Sequence, residues 1–215
     1  MFKTIAGDYN ISQKLYAYGL RTTYTADNLK KSSKCAITLI PVRAGPYLNI
    51  LKKRAELSNK LQHRNLITAT DYGLASQEMF YYAHDLYQVS SLKQAIERFV
   101  AGEDKLFGTL RFFLKFLEPV QFIHEAGLTH RDLQTSHFLV QANETSLLDG
   151  FINARPKTES KPLSSIVHLP YLAPEQLKGR SADFKTDIYA LGVILFELLT
   201  SELPYQSNYA KMEDA

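Results

Sequence analysis

Residues 129–140 read THRDLQTSHFLV, and the triplet His130-Arg131-Asp132 has the look of an enzyme's working loop. A loop built to transfer phosphate would add a lysine two residues after the aspartate and an asparagine five residues after it. Those positions hold Gln134 and His137. The segment is thus either a catalyst with unusual parts or the form of one without its function.

Such a loop needs a packed scaffold, and the composition supplies one. The chain has 215 residues, 45% of them hydrophobic, with a net charge of +3. That suffices for one large domain or two small lobes with their own cores. No apolar run of 18 residues predicts a membrane span, and MFKTIAGDYN lacks the apolar stretch of a secretory signal. Cys35 is the single cysteine, which excludes an internal disulfide and a multi-cysteine metal site and suits a reducing cytoplasm. The basic stretch Lys30-Lys31-Ser32-Ser33-Lys34 lacks interleaved aromatics. It reads as a solvated hairpin turn, and no nucleic-acid partner is expected.

The first part of the chain reads as strands. Tyr9 to Tyr24 alternates loosely, a polar turn is expected at Asp27-Asn28, and CAITLIPV reads as a buried strand. Leu48, Leu51, Ala55, Leu57 and Leu61 suit an amphipathic helix. Strand-like runs flank Leu66 and cover Met79 to Leu86. From Ser90 the pattern turns helical: SLKQAIERFV follows a serine cap, and Leu106 to Glu125 ends at Gly127 with a kink expected at Pro119. A loop region over 129–175 and the apolar helix DIYALGVILFELL follow. The predicted architecture is α+β: a β-rich lobe over 1–84, a hinge over 85–89 and a helical lobe over 90–215.

HRDL at 130–133, LAPEQ at 172–176 and TDIYALGVILFELLTSELPY at 186–205, in this order and spacing, resemble the eukaryotic-like Ser/Thr protein kinases, and most of all their bacterial members. The resemblance implies a bilobal kinase-like fold, here truncated after the central helix, with ATP and magnesium as cofactors. It also implies roles position by position. The glycine-rich loop falls on LYAYGLRTTY, with Tyr16, Tyr18 and Arg21 where the family has its glycines and Gly19 between them. The strand lysine that grips the phosphates falls on Thr38, and its glutamate partner on the next helix falls on Arg54, with Glu56 two residues on. With-no-lysine kinases take the cation from the third glycine position, where Arg21 stands. Asp132 matches the catalytic base, Gln134 the lysine of that loop, and His137 the asparagine that binds the second metal ion. Asp149 matches the other metal ligand, but Asp149-Gly150-Phe151 reverses the last two residues of the family motif, and His168 replaces a threonine.

Cofactor-binding positions fall on Ala36, Asp85, Tyr87 and Leu139, and His84 at the gatekeeper position and Tyr87 are large enough to fill the adenine pocket. His130, Arg131, Tyr171, Pro174, Glu175 and Asp187 are kept, and in the family they shape the loops. Asp187 is expected to bind the catalytic-loop backbone, while Glu175 lacks the arginine it normally pairs with further along the chain. Ser160, Ser164 and Ser165 are candidate phosphorylation sites, with Arg131 as the receiving cation.

The scaffold residues are thus retained while the phosphate-handling residues are replaced. Losing one preorganised donor costs about 2.7–4 kcal/mol of transition-state stabilisation, and a loss of only about 5 kcal/mol slows a reaction by more than roughly a thousandfold. The leading expectation is a cytoplasmic pseudokinase that works through a protein partner, with no membrane partner and with ATP and magnesium disfavoured by the replaced residues. A divergent kinase using Arg21 and Asp132, and a truncated relic without independent function, are the alternatives. Truncation would expose the central helix, so a second chain or an oligomer contact on that face is also expected.

Overall fold

The computed structural model describes residues 4–18, 21–42, 46–99, 104–150, 154–156 and 169–205. The chain divides into two compact units, Met1–Gln88 and Val89–Ala215. The first is β-rich and the second mainly helical, an α+β combination.

The first unit is built on a six-stranded antiparallel sheet, in the order β1-β2-β3-β4-β6-β5. Its strands are β1 (Thr4–Ile5), β2 (Tyr9–Tyr18), β3 (Arg21–Asn28), β4 (Ser33–Pro41), β5 (Asp71–Ser76) and β6 (Met79–Asp85). Asp27 and Asn28 end β3 instead of forming the turn; they pair with Lys34 and Ser33. The turn is displaced to residues 29–32, where Ser32 takes φ +50. Leu66 makes only an isolated bridge, and the strand expected around it forms later, at β5. The central strand β4 is buried from Cys35 to Ile40, which explains its continuous apolar run. Side chains alternate across a strand, so Cys35, Ile37 and Leu39 join Ile5, Tyr9, Ala26, Tyr81 and Ala83 in one cluster. Ala36, Thr38 and Ile40 belong to the opposite face.

Helix α1 (Pro46–Lys60) buries Leu51, Arg54, Ala55 and Ser58, one stripe at helical spacing. Two members of that stripe are polar, so apolar periodicity pointed to Leu57 and Leu61 instead. Ser58 earns its place by accepting the Ala69 N–H through Oγ at 3.0 Å.

The second unit opens with β7 (Val89–Ser91) and α2 (Leu92–Phe99). Ser91 and Gln94 cap α2 reciprocally: the Ser91 hydroxyl accepts the Gln94 N–H, and the Gln94 side-chain oxygen accepts the Ser91 N–H. Helix α3 (Lys105–Glu125) is capped by Asp104, whose carboxylate accepts the Leu106 N–H, and it is followed by Gly127 at φ +75. It runs through Pro119 as one element. Proline cannot donate to the carbonyl four residues back, and the Lys115 carbonyl is taken instead by the Ser146 hydroxyl at 3.0 Å.

Among its described residues, the region expected as loop contains four short strands. These are β8 (Leu128–Thr129), β9 (Phe138–Gln141), β10 (Ser146–Leu148) and β11 (Arg155–Pro156). β10, β9 and β7 form one small sheet, and β11 pairs with β8. Helices α4 (Pro174–Leu177) and α5 (Phe184–Thr200) complete the unit. α5 buries Thr186, Asp187, Ala190, Leu191, Val193 and Ile194, while Phe184, Ile188, Phe196 and Leu199 remain exposed.

One carboxylate ties three strands of the first sheet: the Tyr9 and Tyr81 hydroxyls both donate to Asp71 Oδ2, at 2.6 and 3.2 Å. Burial, reinforced by the Asp71 charge, pushes both phenols above their ordinary pKa. Burial, followed by the Asp27 and Asp85 charges, raises the Cys35 thiol from 9.0 to about 11. A raised folded-state pKa gives stability that is complete below the unfolded value and lost as pH climbs towards the folded one. In urea titrations stability should therefore begin to fall above about pH 9. Cys35→Ala should flatten that first decline. Tyr9→Phe should flatten the decline above about pH 10, and should cost about 1.5–3 kcal/mol at neutral pH through the lost bond to Asp71.

Candidate functional site

In the first unit, Thr38 stands in the middle of β4, 2% exposed. It is paired across the strands with Thr23 and Tyr82. Its hydroxyl lies 2.8 Å from that of Thr23 and 3.5 Å from His84 Nε2. His84 Nδ1 lies 3.0 Å from the Asp85 carbonyl. A carbonyl only accepts, so Nδ1 carries the proton, Nε2 accepts from Thr38, and Thr38 accepts from Thr23. The result is a short neutral relay, Thr23 to Thr38 to His84.

Arg21 is two residues before Thr23 on β3, which puts it on the same sheet face. Arg54 is buried in the α1 stripe at 7% exposure. Glu56 faces away and pairs with Lys60 at 2.7 Å on the helix surface; that cation holds its carboxyl below the usual range. Ala36 is buried beside Thr38 on the strand. The side chains of Asp85 and Tyr87 line a polar groove within this unit.

The second unit assembles the loop around one carboxylate. Asp187 lies in the first turn of α5, whose cap is Asp183. It is 1% exposed, and it accepts the backbone N–H groups of His130 and Arg131 at 2.8 and 2.7 Å. His124 of α3 adds its Nε2 at 2.7 Å. Arg131 takes φ +66, a conformation that costs a non-glycine residue about 1–2 kcal/mol. Gln176 fixes the other side of that residue, donating its amide N–H to the Arg131 carbonyl at 2.9 Å. The Arg131 guanidinium donates to the Pro156 and Ala182 carbonyls, both at 3.1 Å. Those acceptors tie the loop to β11 and to the approach to α5. Glu175 does have a partner: it accepts the Thr186 hydroxyl at 2.9 Å. Tyr171 bridges Thr135 and Glu197, at 3.0 and 2.5 Å.

The Protein kinase domain family model matches residues 22–215 of this chain. The chain belongs to the protein kinase family. It is 24% identical over 216 residues to serine/threonine-protein kinase PrkC of Bacillus subtilis, covering 97% of this chain and 33% of that protein. It is 29% identical over 158 residues to the probable serine/threonine-protein kinase PknB of Lactococcus lactis, covering 70% and 24% respectively. CBL-interacting protein kinase 26 of Oryza sativa is 28% identical over 217 residues, with 96% and 43% covered. The chain thus spans about a third of the length of the first of these relatives.

Within this kinase-family loop, the groups around Asp132 are arranged by two histidines. His130 Nε2 donates to the Asp149 carbonyl at 3.2 Å, and its Nδ1 receives the Asp132 N–H at 3.4 Å. His137 has the opposite tautomer: Nδ1 donates to the Asp132 carbonyl at 2.7 Å, and Nε2 faces the Gln134 amide nitrogen at 3.5 Å. The same amide lies 3.5 Å from Asp132 Oδ1. Gln134 therefore faces the aspartate with a neutral N–H where the family has a cation.

The family's magnesium does not fit the donor at position 137, although Asp149 offers a carboxylate. Magnesium favours an octahedral oxygen shell, whereas position 137 offers imidazole with both nitrogens facing protein groups. Asp149 Oδ1 accepts the Gly150 N–H at 2.6 Å. Among the described residues, no group of three or more His, Cys, Asp or Glu side chains is placed to hold a metal ion. Leu139 is buried on β9, opposite Leu147 and Ser91. Gly19, Phe151, Ser160, Ser164, Ser165 and His168 lie outside the described residues.

The reversed order Asp149-Gly150 has a local cause. Gly150 takes φ +80, and a Cβ there would meet the His137 ring at 2.7 Å, so the imidazole in this position requires a glycine. The sequence shows both substitutions but not their contact. Thr23, His124 and Gln176 were likewise absent from the expected site, since each acts by a hydrogen bond across at least 15 residues.

Two outcomes follow. Gly150→Ala should destabilise by about 2–4 kcal/mol, from left-handed strain plus overpacking. Adding His137→Asn should restore the packing part, giving a coupling of about 1–2 kcal/mol in a double-mutant cycle measured by urea unfolding. Asp187→Ala should cost about 3 kcal/mol or more, because two buried N–H groups lose their charged acceptor.

Proposed function

We propose that this kinase-family chain acts by binding a protein partner and does not transfer phosphate efficiently. The observation that carries this reading is Thr38. At the position of the phosphate-gripping lysine, a buried hydroxyl is closed into a neutral relay with Thr23 and His84. No positive charge is available from that side chain to balance a triphosphate. Gln134 and His137 support the same reading, since neither supplies what phosphoryl transfer asks of its position. The surviving anchors, Asp187 and Gln176, hold loop shape, which a binding surface needs as much as an enzyme does. A cytoplasmic setting accords with the lone, buried Cys35.

One observation favours a second reading. Arg21 shares the sheet face of Thr23 and Thr38, so it could supply the missing cation, as an arginine fork suited to phosphate. With Asp132 as base, the chain would then be a divergent ATP-dependent kinase acting on serine or threonine hydroxyls, as the names of its relatives suggest.

Thermal unfolding of the purified chain with ATP, with and without magnesium, separates the two. The binding-scaffold reading expects a cooperative transition indifferent to nucleotide, and no phosphate transfer to itself or to a generic substrate protein. A ligand at 100 times its Kd adds about 2.7 kcal/mol, so a magnesium-dependent rise in Tm would overturn it. Loss of that shift in Arg21→Ala, and of transfer in Asp132→Asn, would establish the divergent kinase instead.

A further inference from the structure

The first unit carries a groove of about 460 Å3, walled by Asn59, Gln62, Arg64, Thr70, Asp85 and Tyr87. That volume lies within the roughly 300–1,000 Å3 typical of small-ligand sites. The direction of its donors limits what it can hold. Asn59 Nδ2 donates to the Ala69 carbonyl at 2.9 Å, and Gln62 Nε2 donates to the Asn59 carbonyl at 3.0 Å. Both amides thus commit one N–H to the backbone and keep an accepting oxygen and a second N–H. The Thr70 hydroxyl likewise donates to the Ala83 carbonyl at 3.2 Å and retains only accepting capacity.

Asp85 is exposed, and among the described residues its carboxylate has no hydrogen-bond or ion-pair partner. The cation on this wall, Arg64, is engaged, with Nε donating to Asn65 Oδ1 at 3.2 Å. His63, also on the wall, accepts the Asn65 N–H through Nδ1 at 3.1 Å. Tyr87 contributes a half-buried ring close enough to Asp85 that, after burial, the Asp85 charge raises its phenol. The groove therefore offers several acceptors, one of them charged, beside an aromatic face.

We propose that this groove binds a guanidinium group, the arginine side chain of a partner protein. The Asp85 carboxylate accepts two N–H groups side by side, the planar cation lies on the Tyr87 ring, and the amide oxygens of Asn59 and Gln62 take the remaining donors. A lysine ammonium offers neither the fork nor the plane. The site uses none of the side chains of the Thr23–Thr38–His84 relay, although Asp85 adjoins it in the chain, so the inference does not rest on whether the chain transfers phosphate.

The test is a nuclear magnetic resonance titration of the full chain with acetyl-Gly-Arg-Gly-amide. The same peptide with citrulline in place of arginine is the neutral isostere, and acetyl-Gly-Glu-Gly-amide is the acidic control. Saturable shifts of amide signals over 59–70 and 85–87 are expected with the arginine peptide alone. Asp85→Asn should weaken binding about tenfold, the worth of one charged hydrogen-bond pair, and Tyr87→Leu should weaken it severalfold while keeping apolar bulk. Urea unfolding of each variant distinguishes lost binding from lost fold. Equal shifts with citrulline, a preference for the glutamate peptide, or undiminished binding in Asp85→Asn would overturn the proposal.

Discussion

The second unit depends on a buried carboxylate. Asp187 has almost no contact with water, and a charge so placed is tolerated only when hydrogen bonds replace its hydration. Three donors do so: two consecutive backbone N–H groups from the loop and the ring of His124. The consecutive pair matters most. Whether two adjacent N–H groups point at one carboxylate is set by φ and ψ of the residue between their peptides, His130, and the chain then continues through Arg131 at φ +66. The carboxylate fixes the two peptides that lead into the strained Arg131, and their N–H groups replace its hydration.

Everything downstream of the turn inherits its position. With His130 and Arg131 fixed, the His130 ring reaches the Asp149 carbonyl, and the Arg131 guanidinium spans β11 and the approach to α5. Gln176 holds the carbonyl of the same residue, so Arg131 is clamped from both sides. Asp132 follows directly in the chain, and its carbonyl is then taken by His137. The imidazole, once seated there, leaves no room for a Cβ at position 150. Two departures from the family motif, thirteen residues apart by the numbering of His137 and Gly150, thus reduce to one packing event.

The gross architecture was legible because it rests on patterns with a period. The alternation of β2 and β3, the continuous apolar run of β4 and the long apolar stretches of α3 and α5 all appear in the linear text. The α1 stripe was misread because Arg54 and Ser58 stand in it, and a buried polar residue breaks the pattern that periodicity detects. The short strands β8 to β11 were missed for a different reason. They have two to four residues each, too few to show a period; β9 and β10 form a short local hairpin, and β8 and β11 are held by each other across more than twenty residues. The candidate site divides in the same way. Residues with a position in a motif, such as Asp132 and Asp187, could be named in advance. Thr23, His124 and Gln176 could not, because what defines them is the group they touch.

The pattern of retention and loss has a physical basis. Asp187, Arg131 and Gln176 satisfy backbone groups of the chain itself, so their loss would cost stability whether or not any ligand binds. A lysine at position 38 is different. Its charge would be buried at a site where Thr38 is 2% exposed, and the helix position that would offer a glutamate carries Arg54. Without a phosphate to meet it, such a cation would bear its desolvation cost alone, of order several kcal/mol. A threonine removes that cost and finds local partners in Thr23 and His84. Where no phosphate compensates a buried charge, a neutral hydroxyl is the more stable occupant, while the loop anchors serve the fold in either case.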